Sequence, residues 1–334
     1  MALFNLGHEP EVVATEQRPM NFVPASKHFK RRGSLRELDA AIQRLKQDPQ
    51  PFEVVLDDRR VAARPLTVEG RLHGLWYWSS RADVEMHEPP PAGAWVIDLT
   101  TYTALGSAEW AEMADIPNEV RGQERHVAAM FAQVDTSTGK EAHALSLIEA
   151  KPIGAPFQAE WIVRRTDESR WRSLFHLRIQ GVERNGGVHR VALGLSQNIG
   201  ELDRMSRRRT LEDVMHVGLR AAREPGEYVA LMSAKKLALI RWLTDPSPEI
   251  AWLGVAHEAT PAIHPDDIDE ARRILHVGTS DWGSLSEGTV RVMGVDNRWV
   301  HVRARAERVE VENGEEAVAV RVFVPVTSLP GEIT

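Results

Sequence analysis

The sequence predicts an α+β protein made of three tandem domains, each an antiparallel sheet flanked by helices. Its 334 residues exceed what one ordinary hydrophobic core accommodates, so two or three domains are expected. Runs of alternating apolar and polar residues, which are typical of antiparallel strands, recur in three parts of the chain. Each part places two such runs around a turn that favours a hairpin. One sheet module is therefore expected to occur three times.

The two clearest hairpins lie in the C-terminal two thirds of the chain. One alternating run begins at Trp171 and ends at Asn185-Gly186, and another begins at Trp299 and ends at Asn313-Gly314. The spacing from Trp to Asn is the same in both. Asn-Gly favours a two-residue hairpin turn because both turn positions need a positive φ. A fainter copy of the pattern surrounds Glu69-Gly70.

The N-terminal domain is predicted over residues 1–84, in the order two strands, a helix and three strands. A capping box of Ser34 and Glu37 is expected to start the helix. Its apolar face comprises Leu38, Ile42 and Leu45. The strands are predicted at residues 2–6, 11–15, 52–56, 60–66 and 72–78.

The middle domain is predicted over residues 92–200. An extended linker at residues 83–93, which contains Pro89-Pro90-Pro91, leads into it. Two short strands, at 95–99 and 102–105, precede a helical stretch at 124–134. The domain closes with long strands at residues 157–165, 171–180 and 188–197. The alternation in these long strands predicts an antiparallel sheet with one buried face.

The third domain is predicted over residues 201–334 and starts with a linker helix at 201–223. Its main helix is expected to begin at His264-Pro265-Asp266-Asp267, because proline suits the first turn and acids favour the positive end of the helix dipole. Gly278 is expected to end this helix. The strands are predicted at residues 228–233, 238–243, 289–294, 299–308 and 317–325.

Composition excludes several classes of protein. The net charge of −7 disfavours a general nucleic-acid-binding role. The chain has no cysteine, which excludes disulfides, thiolate metal sites and cysteine nucleophiles. No apolar run approaches the roughly 20 residues of a membrane span, and the N-terminus lacks the pattern of a signal peptide. A cytoplasmic protein that does not associate with membranes is therefore expected.

Motifs that carry chemistry are missing from the sequence. No glycine-rich phosphate loop follows a strand, and no metal-binding histidine spacing occurs. The sequence therefore predicts no catalytic residue, no metal site and no enzyme activity, although a site assembled from distant residues would leave no local motif. His176 and His301 alternate with apolar residues on predicted strands, so both are expected on an exposed or interface face.

Apolar and aromatic residues on the predicted strands are candidates for a ligand pocket. Large aromatic side chains on the buried face of a curved sheet can line a pocket for a flat ligand, and they can equally fill the core. Alternation selects Phe157, Trp161, Phe175 and Leu193 as pocket candidates in the middle domain. In the third domain it selects Val292, Val302 and Val320.

Several segments resemble PAS and GAF domains. His264-Pro265-Asp266-Asp267 resembles the start of the last PAS helix, and the segment Asp296-Asn297-Arg298-Trp299-Val300 resembles the turn into the fourth PAS strand. The whole chain is similar to stand-alone mycobacterial and actinobacterial sensory proteins with a PAS–GAF–PAS layout. That similarity is strongest at Glu9-Pro10-Glu11-Val12-Val13-Ala14, Asn21-Phe22-Val23-Pro24, Gly70-Arg71-Leu72-His73-Gly74 and Trp78-Ser79.

The resemblance implies PAS-like domains at 1–84 and 201–334 around a middle domain, 92–200, that is either GAF-like or PAS-like. It also implies a non-enzymatic sensory or signalling adaptor that binds a small molecule or a protein partner and forms a homodimer. No cofactor is predicted. The alternative hypothesis is a sensor that holds haem or flavin non-covalently.

Overall fold

The computed structural model describes residues 1–6, 9–16, 18–29, 32–56, 58–134, 148–184, 186–202, 224–254, 259–280, 285–311 and 315–325. The chain forms two compact units. The first comprises Met1–Gln123 and Ala150–Met205, and the second comprises Glu124–Glu149 and Ser206–Thr334. The division into three domains stays a prediction.

The first sheet is built from residues 2–81 and lies in the first unit. Along the chain its elements are β1 (Ala2–Asn5), β2 (Glu11–Thr15), β3 (Arg18–Pro24), α1 (Ala25–His28), α2 (Arg32–Gln47), β4 (Phe52–Leu56), β5 (Arg59–Val68) and β6 (Arg71–Arg81). All neighbouring strands are antiparallel, in the order β3-β2-β1-β6-β5-β4. The predicted apolar face of α2 packs against Phe4 and Leu75 on one side of this sheet.

Two local predictions for this sheet were wrong. The strand β3 was missed because two prolines interrupt it, and proline is tolerated here since β3 lies at the edge of the sheet. The helix α2 begins at Arg32, so Ser34 lies in its first turn instead of capping it. The fainter hairpin is confirmed: Val68 pairs with Arg71, and Glu69 and Gly70 have φ values of 52° and 70°.

The next part of the chain contains β7 (Ala92–Asp98), β8 (Thr103–Gly106), α3 (Ala108–Met113), β9 (Arg125–His126), α4 (Val127–Phe131), β10 (Pro156–Arg164), β11 (Arg170–Arg184) and β12 (Gly187–Leu202). The predicted helical stretch at 124–134 is thus a short strand followed by a short helix. Within the first unit the second sheet has the antiparallel order β10-β11-β12-β7-β8. The β11–β12 hairpin is confirmed, with Arg184 opposite Gly187, while Asn185 itself lies outside the described residues.

Both faces of the second sheet are buried at its centre, so the prediction of one buried face was wrong. Phe175 and Leu177 are buried on one face, and Leu174 and His176 are buried on the other. The second face is buried because the first sheet packs against it. Its residues Leu3 and Trp76 share a hydrophobic cluster with Ala94, Val96 and Leu195 of the second sheet.

The third sheet lies in the second unit. Its elements are β13 (Glu227–Ser233), β14 (Ala238–Trp242), α5 (Ile268–Ser280), β15 (Ser286–Met293), β16 (Trp299–Val311) and β17 (Glu315–Phe323), with a 3-10 turn at Pro265–Asp267 before α5. The strands are antiparallel in the order β14-β13-β17-β16-β15. The helix α5 extends past Gly278, so this glycine does not end it. Most of the predicted linker helix, 203–223, and the turn at 312–314 lie outside the described residues.

The chain is therefore α+β, and three antiparallel sheets dominate it. The segment Glu124–Glu149 belongs to the second unit, where the backbone N–H of His126 donates to the carbonyl of Leu253 at 2.8 Å.

Candidate functional site

Three of the predicted pocket residues lie together on one face of the second sheet. The ring centroids of Trp161 and Phe157 are 4.3 and 6.0 Å from that of Phe175, and the ring of Trp95 is 6.2 Å from it. Leu193 is not part of this group. It lies opposite Val96 on the other face of the sheet and packs into the cluster between the two sheets.

The predicted pocket residues of the third sheet lie in its packed core. Val302 and Val320 are almost fully buried, and Val292 is half-buried against the same cluster. Ile274 and Leu275 of α5 cover this cluster. These three valines therefore fill the core of the third sheet.

A polar cluster lies between the two sheets of the first unit, and the sequence did not indicate it. The carboxylate of Glu11 on β2 forms an ion pair with the guanidinium of Arg178 on β11, and the two side chains are only 10% and 13% exposed. The guanidinium of Arg178 also lies 5.1 Å from the ring centroid of Phe22 on β3. Gln197 on β12 donates from Nε2 to the backbone carbonyl of Glu16. These contacts join the first sheet to the second.

His176 belongs to the same cluster and is completely buried. Its ring contacts Phe22 edge-on at 5.9 Å, and neither ring nitrogen has a hydrogen-bond partner among the described residues. Burial lowers the pKa of His176 to about 4 because the charged imidazolium would lose its hydration. Both His176 and His301 were predicted to lie on an exposed or interface face. His176 lies in the interface between the two sheets, and His301 is exposed.

A second polar cluster closes the turn between β7 and β8. The carboxylate of Asp98 accepts hydrogen bonds from the backbone N–H groups of Thr100 and Thr101 at 2.8 and 3.2 Å, and Nδ1 of His189 lies 2.6 Å from it. Burial by itself raises the pKa of Asp98, but the hydrogen bonds from His189 and from the two backbone groups outweigh this and lower it. The arrangement is that of a satisfied turn acid.

The Asp266-Asp267 pair does more than favour the helix dipole. Both oxygens of Asp267 accept hydrogen bonds from the guanidinium of Arg291, and one also accepts from its backbone N–H, each at 2.8 Å. These hydrogen bonds from Arg291 lower the pKa of Asp267 strongly. The pair ties the start of α5 to β15.

A cavity of about 240 Å³ lies against the first sheet, on the face opposite α2. The β5–β6 register places Arg64 opposite Trp76 and Ala62 opposite Trp78, so these four side chains share one face. Other lining residues come from the edge strand β4, from Met1 and from the linker: Phe52, Glu53, Met86 and Pro89 among them. The linker therefore forms one wall of the cavity, and the sheet forms the other.

Two charged residues, Arg64 and Glu53, accompany the apolar lining of this cavity. Nη1 of Arg64 lies 2.8 Å from Oε1 of Glu88 on the linker, in an ion pair whose side chains are 43% and 81% exposed. The indole N–H of Trp76 is buried and has no hydrogen-bond partner among the described residues. A buried donor without a partner costs free energy.

The sequence pointed to Trp76 and Trp78 only as two of ten tryptophans in or beside strands. It gave no sign that the linker returns over the sheet. The two-residue period places both indoles on one face, but nothing local predicts which segment covers that face.

None of the helices in the described part of the chain combines the length and apolar character that a membrane span requires. Within the same ranges, no group of three or more His, Asp or Glu side chains is arranged to hold a metal ion.

No curated protein matches the chain. Among solved structures, it is similar to an uncharacterised protein from Mycobacterium tuberculosis, with a TM-score of 0.75, 23% identity, and coverage of 98% of this chain and 96% of that one. This likeness shows the fold alone. A sensory box histidine kinase/response regulator from Burkholderia thailandensis matches 40% of this chain and 90% of its own, at 15% identity and a TM-score of only 0.23.

Two models of one family match the sequence at its two ends. The N-terminal model of the Rv3651-like family matches residues 3–91, and its C-terminal domain model matches residues 212–329. Together they cover well over half of the chain, and the Mycobacterium tuberculosis structure supports a mycobacterial family. The chain belongs to the Rv3651-like family.

Proposed function

We propose that this protein is a non-enzymatic sensory or signalling adaptor whose sheet modules are PAS-like and GAF-like and bind a small molecule. The observation that carries the proposal is the cavity between the first sheet and the linker. Its walls are mostly aromatic and aliphatic, with Arg64 and Glu53 as the charged residues among those that line it. Small-molecule sites combine such apolar walls with a few polar groups that orient the ligand.

The position of the cavity supports a role in signalling. Met86 and Pro89 line it, and the linker that carries them leads directly into β7. The far end of the linker is anchored, since the backbone N–H of Asn198 on β12 donates to the carbonyl of Pro91 at 2.8 Å. A ligand in contact with Met86 and Pro89 therefore acts on the segment that connects the two sheets. A signalling role requires such a connection between the modules.

The size of the cavity limits the ligand. Sites for drug-sized ligands occupy roughly 300–1,000 Å³, and this cavity has about 240 Å³. A ligand with one ring suits this volume. Haem and flavin are larger, so the alternative hypothesis of a haem or flavin sensor gains no support from this cavity. An absorption spectrum of the purified protein tests that alternative directly.

Self-association is part of the proposal, and the edge strand β4 supports it. Val55 and Leu56 on β4 are 55% and 57% exposed. An exposed apolar edge strand can pair with an edge strand of a second copy. We expect a homodimer in native mass spectrometry, and a shift to monomer in Val55→Lys but not in Val84→Lys, which changes an exposed linker residue away from β4. A wild-type protein that stays monomeric would refute the homodimer.

Ligand binding is tested by blocking the cavity from the linker side. Met86→Trp fills the cavity without altering the sheet, and Val84→Trp adds the same side chain to the linker at a residue that does not line it. In saturation-transfer NMR with a set of single-ring compounds, we expect binding to the wild type and to Val84→Trp, and loss of binding in Met86→Trp. Equal binding by all three proteins would place the ligand elsewhere and remove the main support for the proposal.

A further inference from the structure

We infer that the ligand of this cavity is a small aromatic carboxylate, whose carboxylate binds Arg64 in place of Glu88. This inference rests on the proposed function, because it names the chemical class that the same cavity accepts. Three features of the described residues carry it: the position of Arg64, the exposure of Glu88 and the aromatic walls.

Arg64 is the cation that lines the cavity in the described sheet. It lies on β5 directly opposite Trp76 and shares a sheet face with Trp78. Its guanidinium meets Glu88 through Nη1 and Oε1. A guanidinium has five N–H donors in a fixed plane, which match a carboxylate in a two-point contact. Arg64 can therefore hold a ligand carboxylate more completely than it holds Glu88.

Glu88 is placed so that a ligand can replace it. Its side chain is 81% exposed, and it lies on a linker without regular secondary structure. Ion pairs between exposed side chains contribute little, because water screens them and both side chains lose freedom. A ligand carboxylate held against Trp78 and Met86 would be shielded from water, which strengthens its attraction to Arg64. Exchange of one carboxylate for the other therefore favours the ligand.

The remaining lining selects a flat ligand with a single negative charge. Trp76 and Trp78 supply aromatic walls, which suit a ring. Glu53 also lines the cavity, although its carboxylate lies 3.4 Å from Arg60. A second anionic group on the ligand would meet this acid, so a dianion is disfavoured.

The experiment compares benzoate with benzamide, which has the same ring but no charge, by isothermal titration of the full chain. We expect the wild type to bind benzoate about tenfold more tightly than benzamide, because hydrogen bonds to ionised groups are the stronger ones. Arg64→Gln should remove this preference by weakening benzoate alone. Glu88→Gln should tighten benzoate roughly threefold, since it removes the competing carboxylate.

The linker offers a matched control for Glu88→Gln. Asp83 lies on the same linker and forms an exposed ion pair, at 3.1 Å, with Arg81 at the end of β6; neither residue lines the cavity. Asp83→Asn should therefore leave the affinity for benzoate unchanged. If Asp83→Asn tightens benzoate as much as Glu88→Gln does, the effect is one of overall charge and the inference is wrong.

Failure of this inference can be told apart from failure of the proposed function. Equal binding of benzoate and benzamide, unaffected by Arg64→Gln but lost in Met86→Trp, would keep the cavity as a ligand site and overturn the carboxylate. Absence of benzoate binding to both the wild type and Glu88→Gln would also overturn it. The proposed function would then be tested separately, by saturation-transfer NMR of the set of single-ring compounds with the wild type, Met86→Trp and Val84→Trp.

Discussion

Two ion pairs in the first unit, Glu11–Arg178 and Glu88–Arg64, each join the first sheet to another segment, yet their surroundings differ. The first joins residues 167 positions apart and leaves its side chains only 10% and 13% exposed. The second joins residues 24 positions apart and leaves Glu88 81% exposed. Glutamate and arginine therefore form a buried structural contact between two sheets in the first pair. In the second pair they form a solvent-exposed contact that a ligand can replace.

The difference follows from what happens when one partner leaves. At the buried pair, removal of one charge leaves the other without water and without a partner, which is strongly unfavourable. At the exposed pair, water replaces the lost partner at little cost. Burial thus decides which contact holds the structure together and which one a ligand can compete with.

The largest effect is expected from Glu11→Ala, which leaves the guanidinium of Arg178 buried without its carboxylate. We expect the free energy of unfolding of the first unit to fall by about 3–5 kcal/mol. Denaturant titration followed by tryptophan fluorescence measures this. Glu160→Ala is the matched control, because Glu160 pairs with Arg172 on the neighbouring strand with both side chains more than 40% exposed, and about 0–1 kcal/mol is expected there. Equal losses for the two variants would contradict the comparison.

The next effect is a loss of stability in acid, caused by His176 beside the buried pair. Its pKa is near 6.5 in the unfolded chain and about 4 in the folded one, so between these values the unfolded chain binds more protons. Stability therefore falls as the pH falls from about 6.5 to about 4, by on the order of 3 kcal/mol.

His176→Leu should reduce this pH dependence, as measured by denaturant titrations at several pH values. His73 is still present in this variant and continues to contribute to the pH dependence, because burial and the charges of Arg71 and Arg184 lower its pKa to about 4 as well. His301→Gln, which changes an exposed histidine of β16, is the control substitution. An unchanged slope in His176→Leu would show that this histidine is not held neutral by burial.

A smaller effect is expected from Glu88→Gln, in spite of its role at the cavity. The free energy of unfolding should change by less than about 1 kcal/mol, because both side chains of the pair are reached by water. The same denaturant titration measures it. A loss as large as that of Glu11→Ala would mean that the linker contact is structural, and exchange with a ligand would then be excluded.

The smallest effect is expected from Asp83→Asn, which breaks an ion pair exposed at 77% and 66%. The free energy of unfolding should stay within about 0.5 kcal/mol of the wild type. This variant shows how much free energy of unfolding is lost when a solvent-exposed ion pair is removed, and the loss in Glu88→Gln is compared with that value. A larger loss would show that the path of the linker depends on the Arg81 contact.

Local patterns predicted much of each sheet. Glu69-Gly70 was predicted as a hairpin turn, and both residues have the positive φ that such a turn needs. Leu38, Ile42 and Leu45 were predicted as one helix face, and all three are buried. The aromatic group around Phe175 followed from alternation on strands that were correctly predicted. These predictions succeed because they depend on residues that are close in sequence.

The candidate site depended on contacts that no local pattern contains. His176 alternates with apolar residues like any outward-facing position, and only the packing of the first sheet buries it. Leu193 was predicted as a pocket residue together with Phe175, but it lies on the other face of the sheet. Its strand is apolar on both sides, so alternation does not distinguish the two faces there. The cavity exists because the linker passes back over Trp76 and Trp78.

The sequence by itself determined most of the antiparallel strands, the three hairpins and the α+β class, because the two-residue and 3.6-residue periods and the turn residues act over a few positions. Only the tertiary structure decided which sheet faces meet, which charges are buried and where a cavity remains. Those outcomes depend on side chains far apart in the chain, whose packing removes water from some ion pairs and leaves it at others.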